Sequence, residues 1–378
     1  MKKISKFFAL ILAVIMLCSL VACNKNNEEV ALTAEEVQKV EEVSEVLNLV
    51  AYIEIPDLEN LFAKKNSIFA LDKTGYEGLN SEKYQSMRLD FEMSQNMSMS
   101  FSIPESLRNQ IEDDYILSMV LSMFEDMLFS FEYKGYVLLT ETSCQFTYTK
   151  TNMTIKMSGM KTEVDMPFAL YMDNEEVYLR YDKFEFTETI SASDEEPTVL
   201  DIGQYVEEYL GNRLGEWIDL DKNYVSEDLA DYFTQAFAEC GNALTAELNT
   251  YADYIEENLS KKFVKKGDKY VLSSQHFTEL VEEINANISE EFTEMENANY
   301  IYNKFTGEFE FDVSNMEEPK IRFNYDMDAE DNFSMIGVLP SGGNIGIKVL
   351  SSGDCTYTFS GFNSTTLSRP TEVYGWPN

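Results

Sequence analysis

The chain has little histidine, little cysteine and few basic residues. Its 378 residues include one histidine, five cysteines, and 29 Lys and Arg against 67 Asp and Glu, which gives a formal net charge of −38. Nucleic-acid binding requires clustered Lys and Arg to neutralise phosphates, so this charge balance predicts no nucleic-acid partner. A lone histidine excludes histidine-rich metal sites and leaves any His-dependent triad to His276, which we interpret as a residue at a helix start.

The sequence motifs of common catalytic sites are also missing. No Gly-x-Ser-x-Gly nucleophile elbow occurs, and no cysteine pair has the spacing of a redox or zinc site. The glycine run 342–346 is not followed by Lys-Ser or Lys-Thr, as a phosphate-binding loop requires. The alternating acids of 326–331 lack the central glycine of a calcium loop and predict a hairpin turn instead. We therefore predict no enzyme activity, no catalytic residue, no metal site and no cofactor.

A short apolar segment follows three lysines at the start of the chain and ends in Leu20-Val21-Ala22-Cys23. The apolar run 7–20 is too short to cross a bilayer, which takes about 20 residues. The ending resembles the bacterial lipobox, so residues 1–22 are predicted to be a lipoprotein signal peptide and Cys23 the lipidated residue. A membrane-anchor helix and an ordinary secretory signal remain as alternatives.

This leader predicts where the mature chain works. We expect an extracytoplasmic protein that the lipid on Cys23 anchors to the outer face of the bacterial cytoplasmic membrane, with residues 23–32 as a flexible tether. Loss of residues 1–22 removes three lysines and no acid, which changes the net charge from −38 to −41. That charge is repelled by an anionic membrane surface, so the domain is expected to stand away from its anchor.

Apolar residues alternate with polar ones over a long stretch of the mature chain. Seven apolar side chains occupy odd positions between 87 and 101, and a bulge or turn is expected at Gln95-Asn96. Similar alternation predicts a meander of hairpins over about 130–186 and more strands over 309–359, with a turn at 351–354. The predicted fold class is α+β, with one large curved antiparallel sheet of ten or eleven strands.

Helical patterns stand before and between these strands. Thr33 and Glu36 form a capping box ahead of an amphipathic helix over 33–52. A second helix is predicted over about 105–128, and further helices form an insert over about 226–296 within a single domain at 33–378.

Methionine supplies the main indication of function. Of the 18 methionines, two lie in the predicted signal peptide and 12 fall between Met87 and Met172. Methionine is unbranched and polarizable, and therefore suits ligands of variable shape such as acyl chains. The candidate apolar ligand face consists of Met87, Leu89, Phe91, Met93, Met97, Met99, Phe101, Met153, Ile155 and Met157.

The same methionines fit a filled core equally well. In that second interpretation the protein is an acidic structural or protein-interaction module with a closed core and no ligand, and its acidic surface binds a basic protein partner.

The lipobox, the long alternating strands and the closing Phe359-Ser-Gly-Phe-Asn-Ser-Thr-Thr-Leu with Arg369-Pro370 together resemble the LolA/LppX group of lipoproteins and lipoprotein carriers. The resemblance implies an unclosed half-barrel wrapped around helices, with an apolar cavity that holds acyl chains. It covers the pattern of about 85–370 and has no specific motif except the lipobox, so it assigns no ligand-contacting residue.

Overall fold

The protein is mostly β-sheet. The computed structural model describes residues 29–51, 83–102, 126–173, 177–191, 197–210, 213–219, 262–267, 269–273, 275–277, 279, 300–334 and 344–374. Its two longer helices are α1 (Ala34–Ala51) and α2 (Ile202–Leu210). Within these ranges, no helix has the length and apolar character needed to cross a membrane.

Sixteen strands of the described residues join in one open sheet. They are β1 (Val30–Ala31), β2 (Ser86–Ser102), β3 (Asp126–Thr140), β4 (Ser143–Met157), β5 (Met160–Asp165), β6 (Phe168–Asp173), β7 (Val177–Tyr181), β8 (Glu185–Ile190), β9 (Thr198–Asp201), β10 (Trp217–Asp219), β11 (Phe263–Lys266), β12 (Lys269–Leu272), β13 (Tyr300–Asp312), β14 (Lys320–Ser334), β15 (Asn344–Ser360) and β16 (Val373–Tyr374).

The strand order is β1-β11-β12-β13-β14-β15-β2-β3-β4-β6-β7-β10-β16, and a branch runs from β4 through β5 and β8 to β9. Neighbouring strands are antiparallel except for β10 and β16, which are parallel. The prediction of one large sheet is therefore confirmed, although the sheet is mixed and not wholly antiparallel.

The centre of the sheet consists of six long strands in the order β13-β14-β15-β2-β3-β4. Each has 13 to 17 residues, and neighbours pair over nearly their full length. The face that carries the odd-numbered residues of β2 is called the inner face. Met87, Leu89 and Phe91 are buried there, whereas Arg88 and Asp90 lie on the opposite, outer face and form an ion pair. The period-two pattern therefore predicted the buried face correctly.

Three predicted turns are instead continuous strand. Gln95 pairs with Gly353 in the middle of β2 and β15, so neither Gln95-Asn96 nor residues 351–354 form a turn. The acids of 326–331 lie inside β14, opposite β15. Gly353 looked like a turn residue, but its position lies against the Tyr325 ring, where a Cβ atom would clash.

The predicted count of ten or eleven strands was too low. Several strands, among them β1, β9, β11 and β16, have only two to four residues, which is too few to show a period-two pattern. Pro167 also interrupts the predicted strand at 162–172, which is divided into β5 and β6.

The predicted helices lie only partly within the described residues. The helix over 33–52 is confirmed as α1. Residues 105–125 of the predicted helix over 105–128 lie outside the described residues, and the prediction is wrong for its last residues, from Asp126, because they form the start of β3. Most of the predicted insert over 226–296 also lies outside the described residues. Within that insert, β11 and β12 are strands of the sheet. At the end of the predicted tether, Val30 and Ala31 pair with β11.

The sheet divides at β4, because its first half pairs with β6 and its second half with β5. Thr151 holds this division: its hydroxyl accepts a 2.6 Å hydrogen bond from the Met166 amide, and its own amide donates to Asp165. Lys183 binds the same Asp165 carboxylate at 2.8 Å. We call β5, β8, β9 and α2, which lie beyond this point, the wing.

Candidate ligand-binding face

One end of the inner face is fully packed. This closed end carries aromatic and aliphatic side chains from β2, β3, β11, β13, β14 and β15, and the rings of Phe263 and Phe311 stack with their centroids 4.7 Å apart. Its other members are buried as well: Met87, Leu89, Phe91, Val137, Leu139, Phe309, Ile321, Tyr357 and Phe359. Side chains this tightly packed leave no room for a ligand.

Helix α1 belongs to the same buried core. Its buried positions are Val40, Val43, Val46 and Leu47, spaced at three or four residues as one helix face requires. Glu36, near the start of α1, binds Lys265 of β11 at 2.6 Å, and Glu45 binds Lys83, just before β2, at 2.8 Å. These two ion pairs join α1 to strands that lie several positions apart in the sheet.

Glu36 also forms the predicted capping box. Its carboxylate accepts a 2.9 Å hydrogen bond from the Thr33 amide, and the Thr33 hydroxyl accepts from the Glu36 amide. The hydrogen bond from Lys265, together with those from Thr33, lowers the pKa of Glu36 to about 2. The capping motif and the contact with the sheet therefore use the same carboxylate.

The other end of the inner face is only partly covered. We define the methionine end by four side chains on β2 and β4 that pack against the core and remain partly exposed: Met93, Met99, Met153 and Met157. They surround a buried floor in which Met97 of β2, Phe129 of β3 and Ile155 of β4 lie side by side across the strands. This end therefore presents a partly exposed apolar surface.

The predicted ligand face is divided between these two ends. Met87, Leu89 and Phe91 belong to the closed end, whereas Met93, Met97, Met99, Met153, Ile155 and Met157 belong to the methionine end. Phe101 is a residue of β2, and its side chain lies outside what the structure describes.

Sequence reasoning missed Met127 and Phe129. Both are buried on β3, between the methionines of β2 and those of β4. The predicted strand begins at about residue 130, whereas β3 begins at Asp126. The alternation of Met127, Phe129 and Phe131 is the sequence signal for this earlier start. Starting the strand at its first alternating apolar residue would have found both side chains.

Polar groups lie between the two ends. The Tyr325 and Ser351 hydroxyls are 3.2 Å apart, and the Tyr357 hydroxyl donates to the Met93 sulfur at 4.0 Å. The inner-face positions of β2, β3 and β4 that pair across these strands are all uncharged. The methionine end therefore suits an apolar group, and the hydroxyls at its border are already engaged in hydrogen bonds.

The apolar surface continues onto the wing. Met157 pairs with Met160 of β5, which in turn pairs with Ile190 of β8. Ile190 is 44% exposed, so exposure increases from the floor of the methionine end toward the outer strand of the wing.

His276 lies at a helix start, as predicted. The Ser273 hydroxyl lies 2.8 Å from the His276 Nδ1 atom and accepts a hydrogen bond from the His276 amide. The Ser273 carbonyl oxygen accepts a hydrogen bond from the Phe277 amide. Glu279 lies 3.8 Å from Nε2. This is the geometry of an N-cap, in which the Ser273 hydroxyl serves the first turn of the helix.

No metal site is found among the residues that the structure describes, which contain no group of three or more His, Cys, Asp or Glu side chains able to hold an ion. Cys144 of β4 and Cys355 of β15 are buried reduced cysteines, and burial raises the pKa of the Cys144 thiol. A thiol held in its protonated form is a poor metal ligand and a poor nucleophile.

Comparison with known proteins assigns no family to this chain. No protein-family model matches it, and no curated protein sequence matches it. Its function must therefore be inferred from the sequence of its N-terminal segment and from the geometry of the sheet.

Proposed function

We propose that this chain is an extracytoplasmic lipoprotein that binds an apolar or lipid ligand at the methionine end of its inner face. Cys23 carries the lipid that anchors it to the outer face of the bacterial cytoplasmic membrane. The single observation that carries the ligand proposal is that the four methionines that define the methionine end stay partly exposed around the buried Met97, whereas Met87 and Leu89 at the closed end are fully buried. A closed core would bury both ends alike.

The proposal includes a finer architecture, in which the sheet curves as a half-barrel around helices. Strands of 15 to 17 residues accumulate twist along their length, which favours a curved sheet over a flat one. Helix α1 packs in the concave side of that curve at the closed end, and the ligand occupies the concave side at the methionine end.

The chemistry of the methionine end fits an acyl chain. Each buried methylene contributes about 0.8 kcal/mol, so a chain that buries eight methylenes gains on the order of 6 kcal/mol before the entropic costs of binding. Flexible methionine side chains adjust to chains of different length and unsaturation.

The experiment is native mass spectrometry of the protein from Asn24 onward, expressed in a bacterial host and purified gently, followed by lipid extraction. We expect stoichiometric acyl species bound to the wild-type chain. A clean mass without ligand, unchanged after addition of phospholipid, would contradict the proposal and support the closed-core alternative.

Two substitutions on adjacent residues of β4 provide a matched test. Met153→Asp places a charge on the partly exposed inner face and should remove the bound lipid, whereas Thr154→Asp places the same charge on the outer face and should retain it. Met97 is unsuitable for this purpose, because it is 1% exposed and a buried charge there would unfold the sheet. Equal lipid loading of both variants would exclude the methionine end as the site.

A further inference from the structure

The outer strand of the wing exposes apolar side chains on both of its faces. Within the described residues β9 pairs with β8 alone, in a register that runs from Thr187 opposite Asp201 to Ile190 opposite Thr198. Val199 is 60% exposed and Leu200 is 44% exposed, on opposite faces of the strand. Its outward main-chain edge therefore lies between two accessible apolar side chains.

The other ends of the sheet are arranged differently. At one end β1 covers the edge of β11 with a two-residue strand. At the other end the guanidinium of Arg213 lies over the Tyr374 ring of β16, 4.5 Å from its centroid. Proteins usually protect an edge strand with charge, an extra strand or a covering group, because an open apolar edge pairs with other chains. The edge of β9 has the features of a docking strand.

Charge indicates what kind of chain would dock. The four elements of the wing carry one lysine and seven carboxylates in their sequence. That lysine, Lys161, binds Glu163 at 2.6 Å. Lys183, just before β8, binds Asp165 and Glu185 at 2.8 and 2.7 Å. The seven carboxylates still outnumber these two cations. A basic partner is therefore attracted to this edge, whereas a second copy of the chain would bring two acidic wings together.

We propose that β9 binds an extended segment of a partner protein in which Lys or Arg alternates with apolar residues. The segment joins the sheet as the next strand, and its main chain pairs with the edge of β9. Its apolar residues contact Leu200 and Ile190 on one face of the sheet, or Val199 on the other face. Its cations face the carboxylates of the wing. This partner site is independent of lipid binding at the methionine end.

The test uses a short synthetic peptide that alternates Lys and Val, labelled for fluorescence anisotropy, with a Glu and Val peptide as the charge control. We expect the basic peptide to bind, the acidic peptide not to bind, and amide hydrogen exchange at 198–201 to slow in the complex. Leu200→Lys should weaken binding by about tenfold or more, because it adds repulsion and removes an apolar contact.

Leu350→Lys is the matched control. Leu350 is also 44% exposed, but it lies on β15, where both neighbouring strands are paired, so its substitution should change peptide affinity by less than about twofold. Four results would overturn the proposal. Two concern the peptides, namely failure of the basic peptide to bind and equal binding of the acidic peptide. The other two are an equal loss of affinity in both variants and dimerisation of the protein through β9.

Discussion

The closed end and the methionine end lie on the same strands and share one alternating pattern, yet they differ in what fills the inner face. Phe309, Phe311 and Phe359 form a rigid floor at the closed end, and the charged contacts of Glu36 and Glu45 hold α1 in the same core. At the methionine end Met93, Met99, Met153 and Met157 keep part of their surface exposed. The alternation of apolar and polar residues thus specifies which face of the sheet is buried. The type of side chain on that face, and the elements that pack over it, specify whether the face is closely packed.

The largest expected effect separates the two ends by stability. Phe359→Ala removes a fully buried ring from the closed end and should lower the free energy of unfolding by about 3 to 5 kcal/mol. Met153→Ala removes a partly exposed side chain and should cost about 1 kcal/mol or less. Urea unfolding of both variants measures the difference, and equal costs would mean that the two ends are packed alike.

A second prediction concerns the border between the ends. Gly353→Ala introduces a Cβ atom where the Tyr325 ring lies and should displace that ring from its hydrogen bond with Ser351. Overpacking of this kind costs about 1 to 3 kcal/mol. The neighbouring Ser352→Ala, on the exposed outer face, should change the free energy of unfolding by less than about 0.5 kcal/mol. A neutral Gly353→Ala would show that the border is loose.

A third prediction tests the helix that packs at the closed end. Thr33→Ala removes the capping hydroxyl of α1 and should lower the free energy of unfolding by about 1 kcal/mol. Lipid loading in native mass spectrometry should be unchanged, because Thr33 caps a helix that Glu36 and Glu45 hold at the closed end. Loss of lipid in this variant would show that α1 controls both ends.

The smallest expected effect depends on pH. Because the folded pKa of Glu36 is about 2 and its ordinary value is 4.5, its ionised form stabilises the fold at neutral pH. That stabilisation is lost as the pH falls from about 5 toward 2. Glu36→Gln should therefore have a lower urea midpoint than the wild type at pH 7, and the difference should shrink below pH 4. A constant difference would contradict the assigned pKa.

Much of the sheet followed from the sequence, because strand alternation is a local property. The odd positions from Met87 to Met99 predicted the inner face, and Thr33 with Glu36 predicted the start of α1. Two features could not be predicted, because they depend on partners distant in sequence. Gly353 was interpreted as a turn without knowledge of the Tyr325 ring, and two-residue strands such as β1 exist only because a neighbouring edge is present.

The sequence predicted the kind of residue in the candidate site but not which of these residues are partly exposed. The sequence grouped six methionines and four other apolar residues on one face, but it could not separate Met87, which belongs to the closed end, from Met93, which is partly exposed. Burial depends on what packs over a residue, and alternation along one strand carries no information about that cover.

Methionine oxidation footprinting by mass spectrometry tests the central claim most directly. Purified protein, stripped of lipid or loaded with phospholipid, is treated briefly with hydrogen peroxide, and sulfoxide is quantified at each methionine. We predict that Met153 and Met157 oxidise in the stripped protein and are protected by lipid, whereas buried Met87 and Met97 stay reduced in both samples. Equal oxidation of Met153 and Met157 with and without lipid would contradict a ligand site at the methionine end.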